Sequence, residues 1–185
     1  MKVTEAASLS EILRGRREFI ARSWYEAVVR TSFVPFTEED LFNCLLDLTD
    51  QTIDTFLAEP FVPAQAQAIG TNLAELHCIA AEALGGTQEV LAIRLLADLP
   101  GDTVTRLQPR LAGLLSAIAI GFIGQTRKIL LAEQEVIRQA LLIQRLRAEE
   151  SLRESEARFR AIFEGAAISI VLAGSVAGSS SPIRR

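Results

Sequence analysis

Apolar positions recur along most of this chain at intervals of three, four and seven, the signature of helices with one buried face. Ser8 and Glu11 have capping-box spacing, and Leu9, Leu13, Ile20, Trp24 and Val28 then fall on one side, which predicts a first helix over about 8–31. "SFVPFTEED" breaks the pattern, with Thr37 as N-cap and Glu38, Glu39 and Asp40 in a first turn, where negative charge suits the helix dipole. A second helix carries Leu41, Leu45, Leu48 and Phe56 beside Phe42, Leu46, Ile53 and Leu57, two adjacent stripes that call for a wide buried face. After "AEPFVPAQ", Pro63 can open a third helix lined by Ile69, Leu73, Leu76 and Ala80. Gly85 and Gly86 read as its end, and Thr87 as the cap of a fourth helix with Leu91 and Leu95 inside.

"DLPGDT" reads as a turn, and a last helix follows from about Pro109. Up to about Gln125 it is apolar on most sides, as a buried helix should be, with Gly121 and Gly124 marking either close packing against another helix or a kink. From Arg127 to Arg160 it becomes charged with a narrow apolar stripe. A helix of about 50 residues is about 75 Å long, so its second half is expected to leave the domain. There Leu130, Ile137, Leu141 and Ala148 follow alternating three and four spacing, with polar Gln134 and Gln144 in the same seam. A stripe that narrow is best buried against a second copy, as a parallel dimeric coiled coil; the alternative is a solvated helix folded back on its own domain.

The expected fold is therefore all-α: a helical bundle over 1–126, for which a globin-like arrangement is one option, then a coiled coil over 127–158. With 185 residues, one core of normal size uses most of the chain. A net charge of -4 does not prepare a surface for phosphates, so no nucleic-acid partner is expected. "LAGLLSAIAIGFIG" is shorter than the roughly 20 residues that span a bilayer, and the N-terminus lacks an apolar signal core, so a cytoplasmic protein without a membrane partner is expected. Cys44 and Cys78 have neither CxxC nor Cys/His ligand spacing and read as small apolar residues in a reducing compartment.

Catalytic chemistry finds no foothold, and no catalytic residue or metal site is assigned. Gly85-Gly86 and Gly121/Gly124 lack the strand-to-helix setting of a phosphate loop, no GxSxG occurs, and one histidine cannot form a two-histidine metal site. The acidic pair Glu149-Glu150 reads as part of a solvated face, as Glu38-Glu39-Asp40 reads as dipole complement. His77 has two readings: a haem ligand on the proximal side, which would make haem the one cofactor to consider, or a core-edge or exposed histidine without a ligand. Trp24 reads as a core anchor whose ring could also line a small cavity.

"SEARFRAIFEGAAISIVLAG" resembles the opening of a PAS domain, with Phe159, Ile162 and Phe163 on a short amphipathic helix and a first strand over about 167–172. "EQEVIRQALLIQRLRAEESLRESEARF" is similar to the signalling helix that precedes PAS in bacterial signalling proteins. "LLSAIAIGFIGQTRKILLAEQEVIRQAL" and "LAELHCIAAEAL" resemble the N-terminal helical module of actinobacterial PAS/GGDEF/EAL proteins, which make and degrade cyclic di-GMP. The resemblance implies a sensory module with a vestigial PAS start over 159–173, signalling through a dimer and possessing related PAS/GGDEF/EAL proteins as potential partners. It departs after Gly174, where "SVAGSSSPIRR" reads as a flexible tail over 174–185 in place of further strands. No GGDEF or EAL segment is present, so the chain reads as a truncated, non-catalytic sensor and transmitter without its output. A free-standing partner that forms mixed dimers with full-length relatives, and a haem-based gas sensor, are the alternatives.

Overall fold

Among the described residues, the amphipathic stripes become six helices: α1 (Lys2–Gly15), α2 (Arg17–Val29), α3 (Glu38–Leu57), α4 (Pro63–Glu75), α5 (Ala81–Arg94) and α6 (Gly101–Gly178). The structure, a computed structural model, describes residues 2–30 and 36–178, with side chains over 8–30 and 36–163, and no strand occurs among the described residues. The fold is all-α. The chain divides into two units, Met1–Leu131 and Ala132–Arg185.

The first unit holds one hydrophobic core to which all six helices contribute. Leu13, Ile20, Trp24 and Val28 are fully buried with Leu45, Ile53, Phe56, Ile69, Leu73, Leu91, Leu95, Leu114 and Ile118. Each such side chain contributes about 1.5–3 kcal/mol on leaving water, so the spacing of these residues is what selects the helices. The stripe predicted for the first helix is buried throughout, but two helices carry it. The chain is already helical from Lys2, so Ser8 lies inside α1 and does not cap it. The break falls at Arg16, which has φ -107 and ψ 1, directly after Gly15. Arg16 donates to the Ala97 carbonyl at 2.7 Å and pairs with Asp98, tying this joint to the turn after α5. Leu13 and Ile20 are seven residues, or about two turns, apart, so the apolar face survives the break. The expected end at Thr31 and most of the following "SFVPF" lie outside the described residues.

α3 starts as its sequence predicts: Thr37 Oγ1 accepts the Asp40 N–H at 3.1 Å, and Glu38, Glu39 and Asp40 fill the first turn. Thr49 and Thr52 are buried in its interior, each donating its hydroxyl to a carbonyl one turn back, Leu45 and Leu48, at 2.7 Å. Pro63 takes the first position of α4. The predicted break at Gly85-Gly86 does not occur: α5 runs through both glycines and through Thr87. Tertiary contacts account for Gly86 and Thr87, whereas Gly85 has no neighbour within 4 Å of a Cβ placed there. A Cβ on Gly86 would stand 3.1 Å from the Ala27 Cβ of α2, and the buried Thr87 hydroxyl accepts the Trp24 indole N–H at 2.7 Å. Buried indole nitrogen needs an acceptor, and Thr87 is placed to supply it rather than to cap a helix.

The last helix begins at Gly101, earlier than predicted, and includes Pro109, which removes one backbone hydrogen bond without ending it. Leu107, Leu111, Leu114, Ile118 and Phe122 form its buried face. The segment before Gln125 is not buried all round: Ile120 and Ile123 remain 58% and 59% exposed. Its other side meets α4 almost backbone to backbone. A Cβ on Gly121 would lie 1.9 Å from the Gln67 carbonyl oxygen, and one on Gly70 would lie 2.0 Å from the Ile118 carbonyl oxygen. Ala66, Gly70 and Ala74, spaced by four, form the small buried stripe of α4 that permits this approach. Gly124 has no neighbour within 4 Å of such a Cβ, so close packing explains Gly121 and not Gly124.

Toward its far end α6 continues as helix over 167–172, where a first PAS strand was expected. A strand requires a neighbour for its N–H and C=O groups, and none is present among the described residues; a helix satisfies its own backbone, and does so here although Ile168, Ile170 and Val171 are β-branched. Helix also covers 174–178 of the expected flexible tail, whose remainder, 179–185, lies outside the described residues.

Alanine at the three glycines should separate their roles. Gly121→Ala and Gly70→Ala, which force a methyl group against a backbone carbonyl, should each destabilise the first unit by about 1–3 kcal/mol or more in urea unfolding. Gly124→Ala, with open space around it, should be neutral or stabilise by up to about 1 kcal/mol. Thr87→Val, which strands the Trp24 N–H, should lower stability by about 1–3 kcal/mol, with a changed tryptophan emission in the native state.

Candidate functional site

The second unit contributes helix whose side chains are exposed at every described position, 132–163. Along α6, Leu130, Ile137 and Leu141 are 45%, 60% and 61% exposed, and Gln134, Gln144 and Ala148 are exposed beside them. At about 100° per residue, these six positions fall within an arc of about 80° on the helix surface. The helix is continuous, so the predicted seam residues do share a side. Its own surface is laced with short pairs: Arg145 to Glu149 at 2.9 Å, Gln139 to Glu135 at 3.1 Å, and Arg158 to Glu154 at 3.8 Å.

Phe159, Ile162 and Phe163 are not on a separate short helix that opens a new domain. They belong to α6 and are exposed. Leu152, Phe159 and Ile162 return to the same arc as the upstream seam after one step of four residues, from Ala148 to Leu152, taken where a strict heptad would step three. The apolar arc thus extends past the expected coiled coil. Leu131, Leu142 and Leu146 add a second exposed row at about 100–160° around from Leu130. That row is visible in the sequence as the doublets Leu130-Leu131 and Leu141-Leu142, but a seam template of single apolar positions passes over it.

The other candidate residues do not join this arc. His77 is not on a helix: it follows the end of α4 in the left-handed region, φ 59, is exposed, and closes the helix by donating its backbone N–H to the Ala74 carbonyl at 3.0 Å. A haem pocket would require the imidazole to face an apolar interior, and it stands instead at the surface. Trp24 is fully buried with its N–H satisfied by Thr87, as a core anchor should be. Glu38, Glu39 and Asp40 occupy the first turn of α3, and Glu149 pairs with Arg145 on the solvated side of α6. No group of three or more His, Cys, Asp or Glu side chains gathers among the described residues. By length and composition alone, α6 contains a stretch apolar enough to cross a membrane; Leu111, Leu114, Ile118 and Phe122 of this helix are packed into the core of the first unit.

Against known proteins, the chain matches no family model, no curated protein and no solved structure.

The two cysteines differ in burial. Burial pushes the Cys78 thiol up from its ordinary value to about 12, whereas Cys44 is half-buried on α3. Because the thiolate is the nucleophile, iodoacetamide at pH 8 should modify Cys44 in the native protein and reach Cys78 only after unfolding, as read by mass spectrometry. The raised native value also sets a sign for stability. Below pH 9 both states hold the Cys78 proton; between about pH 9 and 12 the unfolded chain releases it first, so this contribution to stability falls as pH rises. Cys78→Ala should flatten that alkaline decline.

Proposed function

We propose that the chain is a non-catalytic regulatory module of bacterial signal transduction. The first unit serves as the sensory body, and α6 dimerises and carries its state toward an output of the PAS and cyclic di-GMP class implied by the sequence resemblance. The observation that carries this reading is the exposed apolar arc from Leu130 through Ile137 and Leu141 to Leu152 on a continuous helix. An exposed apolar arc running along a charged helix is what a helical partner covers, and a second copy supplies the matching stripe in register. Gln134 and Gln144 inside the arc weaken the pairing locally, which lets two packings of the helices lie close in free energy.

In this reading the signal acts by population shift. A change in the first unit favours one packing of paired α6 helices over the other, by no more than its own differential interaction with the two states. No side chain needs to perform chemistry. The cytoplasm, where Cys44 and Cys78 remain reduced, is the compartment that fits such a module.

Light scattering on the purified chain should report a dimer at micromolar concentration. Ile137→Glu with Leu141→Glu places charge in the arc, and should raise the dissociation constant by roughly a hundredfold or more while leaving the unfolding midpoint of the first unit unchanged. A wild-type monomer at high micromolar concentration would remove the basis of the dimeric transmitter.

A further inference from the structure

A cleft in the first unit has the composition of a ligand site. It lies between α1, the C-terminal end of α3 and the first turns of α6, has a volume of about 690 Å³, and has Arg14, Arg106 and Arg110 on its walls. That size is within the range of small-molecule pockets. Asp54 and Glu59 also line it, so three guanidiniums stand against two carboxylates in a chain whose net charge is -4. Leu9, Leu57 and Leu107 supply an apolar wall. Positive charge is concentrated here against the overall balance of the protein, next to a surface that an uncharged chain would prefer to water.

The arginines are held in different ways. Arg110 is mostly buried; it donates to the Ala58 carbonyl at the end of α3 and stands 3.9 Å from Glu59. It is a fixed part of the wall. Arg14 pairs with Asp54 at 2.9 Å, but both partners are more than half exposed, so an incoming anion can take the place of that carboxylate with little loss. Arg106 is exposed on the same face of α6 as Arg110, one turn earlier. A guanidinium offers five N–H donors in a planar fork, and one carboxylate or carbonyl partner leaves several of them for a further oxyanion.

We infer that this cleft binds a small amphipathic oxyanion, with its carboxylate or phosphate head between Arg14, Arg106 and Arg110 and its apolar tail along Leu9, Leu57 and Leu107. As the signal of the sensory unit, the inference rests on the regulatory reading above; as a binding site, it stands without it. Occupation would contact α6 directly, through Arg106, Leu107 and Arg110.

The test is calorimetric titration of the full chain with octanoate, octyl phosphate, inorganic phosphate and octyl glucoside, all below their micellar concentrations. Saturable one-to-one binding of octanoate or octyl phosphate is expected, with the two distinguishing a carboxylate from a phosphate head. Inorganic phosphate should bind at least tenfold more weakly and octyl glucoside not at all. Arg14→Gln with Arg106→Gln, both at exposed positions, should weaken octanoate and octyl phosphate at least tenfold with an unchanged melting temperature. Undiminished binding by that variant, equal binding of octyl glucoside or of inorganic phosphate, or no binding by wild-type protein would each overturn the inference. Light scattering on the same samples reports the dimer independently, so loss of the site and loss of the dimeric reading are seen as separate results.

Discussion

The reciprocal contact of α4 and α6 is the constraint on which the first unit depends. The Gln67 carbonyl rests against Gly121, and the Ile118 carbonyl against Gly70, leaving no volume for a side chain at either glycine. Two backbones at that distance gain dispersion over many atoms and permit Cα–H to carbonyl contacts, each small but repeated along the crossing. The crossing also fixes the rotation of α6 about its own axis. With Gly121 turned to α4, Leu114, Ile118 and Phe122 must face the remaining core, and Ile120 and Ile123 must face away from it, about 100° and 160° around from Gly121. The exposure of those isoleucines follows from the glycine contact and not from any failure of the core to grow.

Polar groups inside the unit are dealt with in ways that keep the helices at fixed separations. Thr49 and Thr52 satisfy themselves within α3, which lets α3 present a wide face without requiring a partner for each hydroxyl. Trp24 and Thr87 do the opposite, joining α2 to α5 by one buried hydrogen bond whose loss would strand a donor. Gly86 brings α5 close enough to Ala27 of α2 for that bond to form. Arg16 holds the α1–α2 joint to the Ala97 carbonyl, so the interruption of the first helix is fastened on the side where α5 ends.

Much of the fold was legible in apolar spacing, because burial is additive over a face and tolerates local breaks. Leu9, Leu13, Ile20, Trp24 and Val28 are all buried although their helix is interrupted between the second and third of them. Thr37 and Pro63 could be read because their effects are local, one a hydroxyl beside its own helix start and the other a ring with no N–H. Gly86 and Thr87 could not, since what decides them is α2, far away in sequence; the same residue types serve a helix end or a close helix contact. The strand expected over 167–172 failed for a related reason, a short apolar run being equally able to remain helical when no strand lies beside it among the described residues. The cleft of Arg14, Arg106 and Arg110 could not be read, because α1 and α6, distant in sequence, bring Arg14 beside the other two.

The exposed part of α6 has an energetic requirement of its own. Pairs such as Arg145 with Glu149 and Arg158 with Glu154 add about 0.2–0.5 kcal/mol each to a helix in water, and so contribute of order 1–2 kcal/mol in all. Each ordered residue loses about 1–2 kcal/mol of backbone freedom, which hydrogen bonding along a solvated helix roughly balances but does not exceed by much. Burying Leu130, Ile137, Leu141 and Leu152 would add about 1.5–3 kcal/mol apiece, several times what the charged pairs contribute. A helix that presents those residues on one arc gains its largest stabilisation from a partner that covers them. Gln134 and Gln144 then lower the gain without removing it, and a helix pair of intermediate strength is one that a modest change elsewhere in the protein can reset.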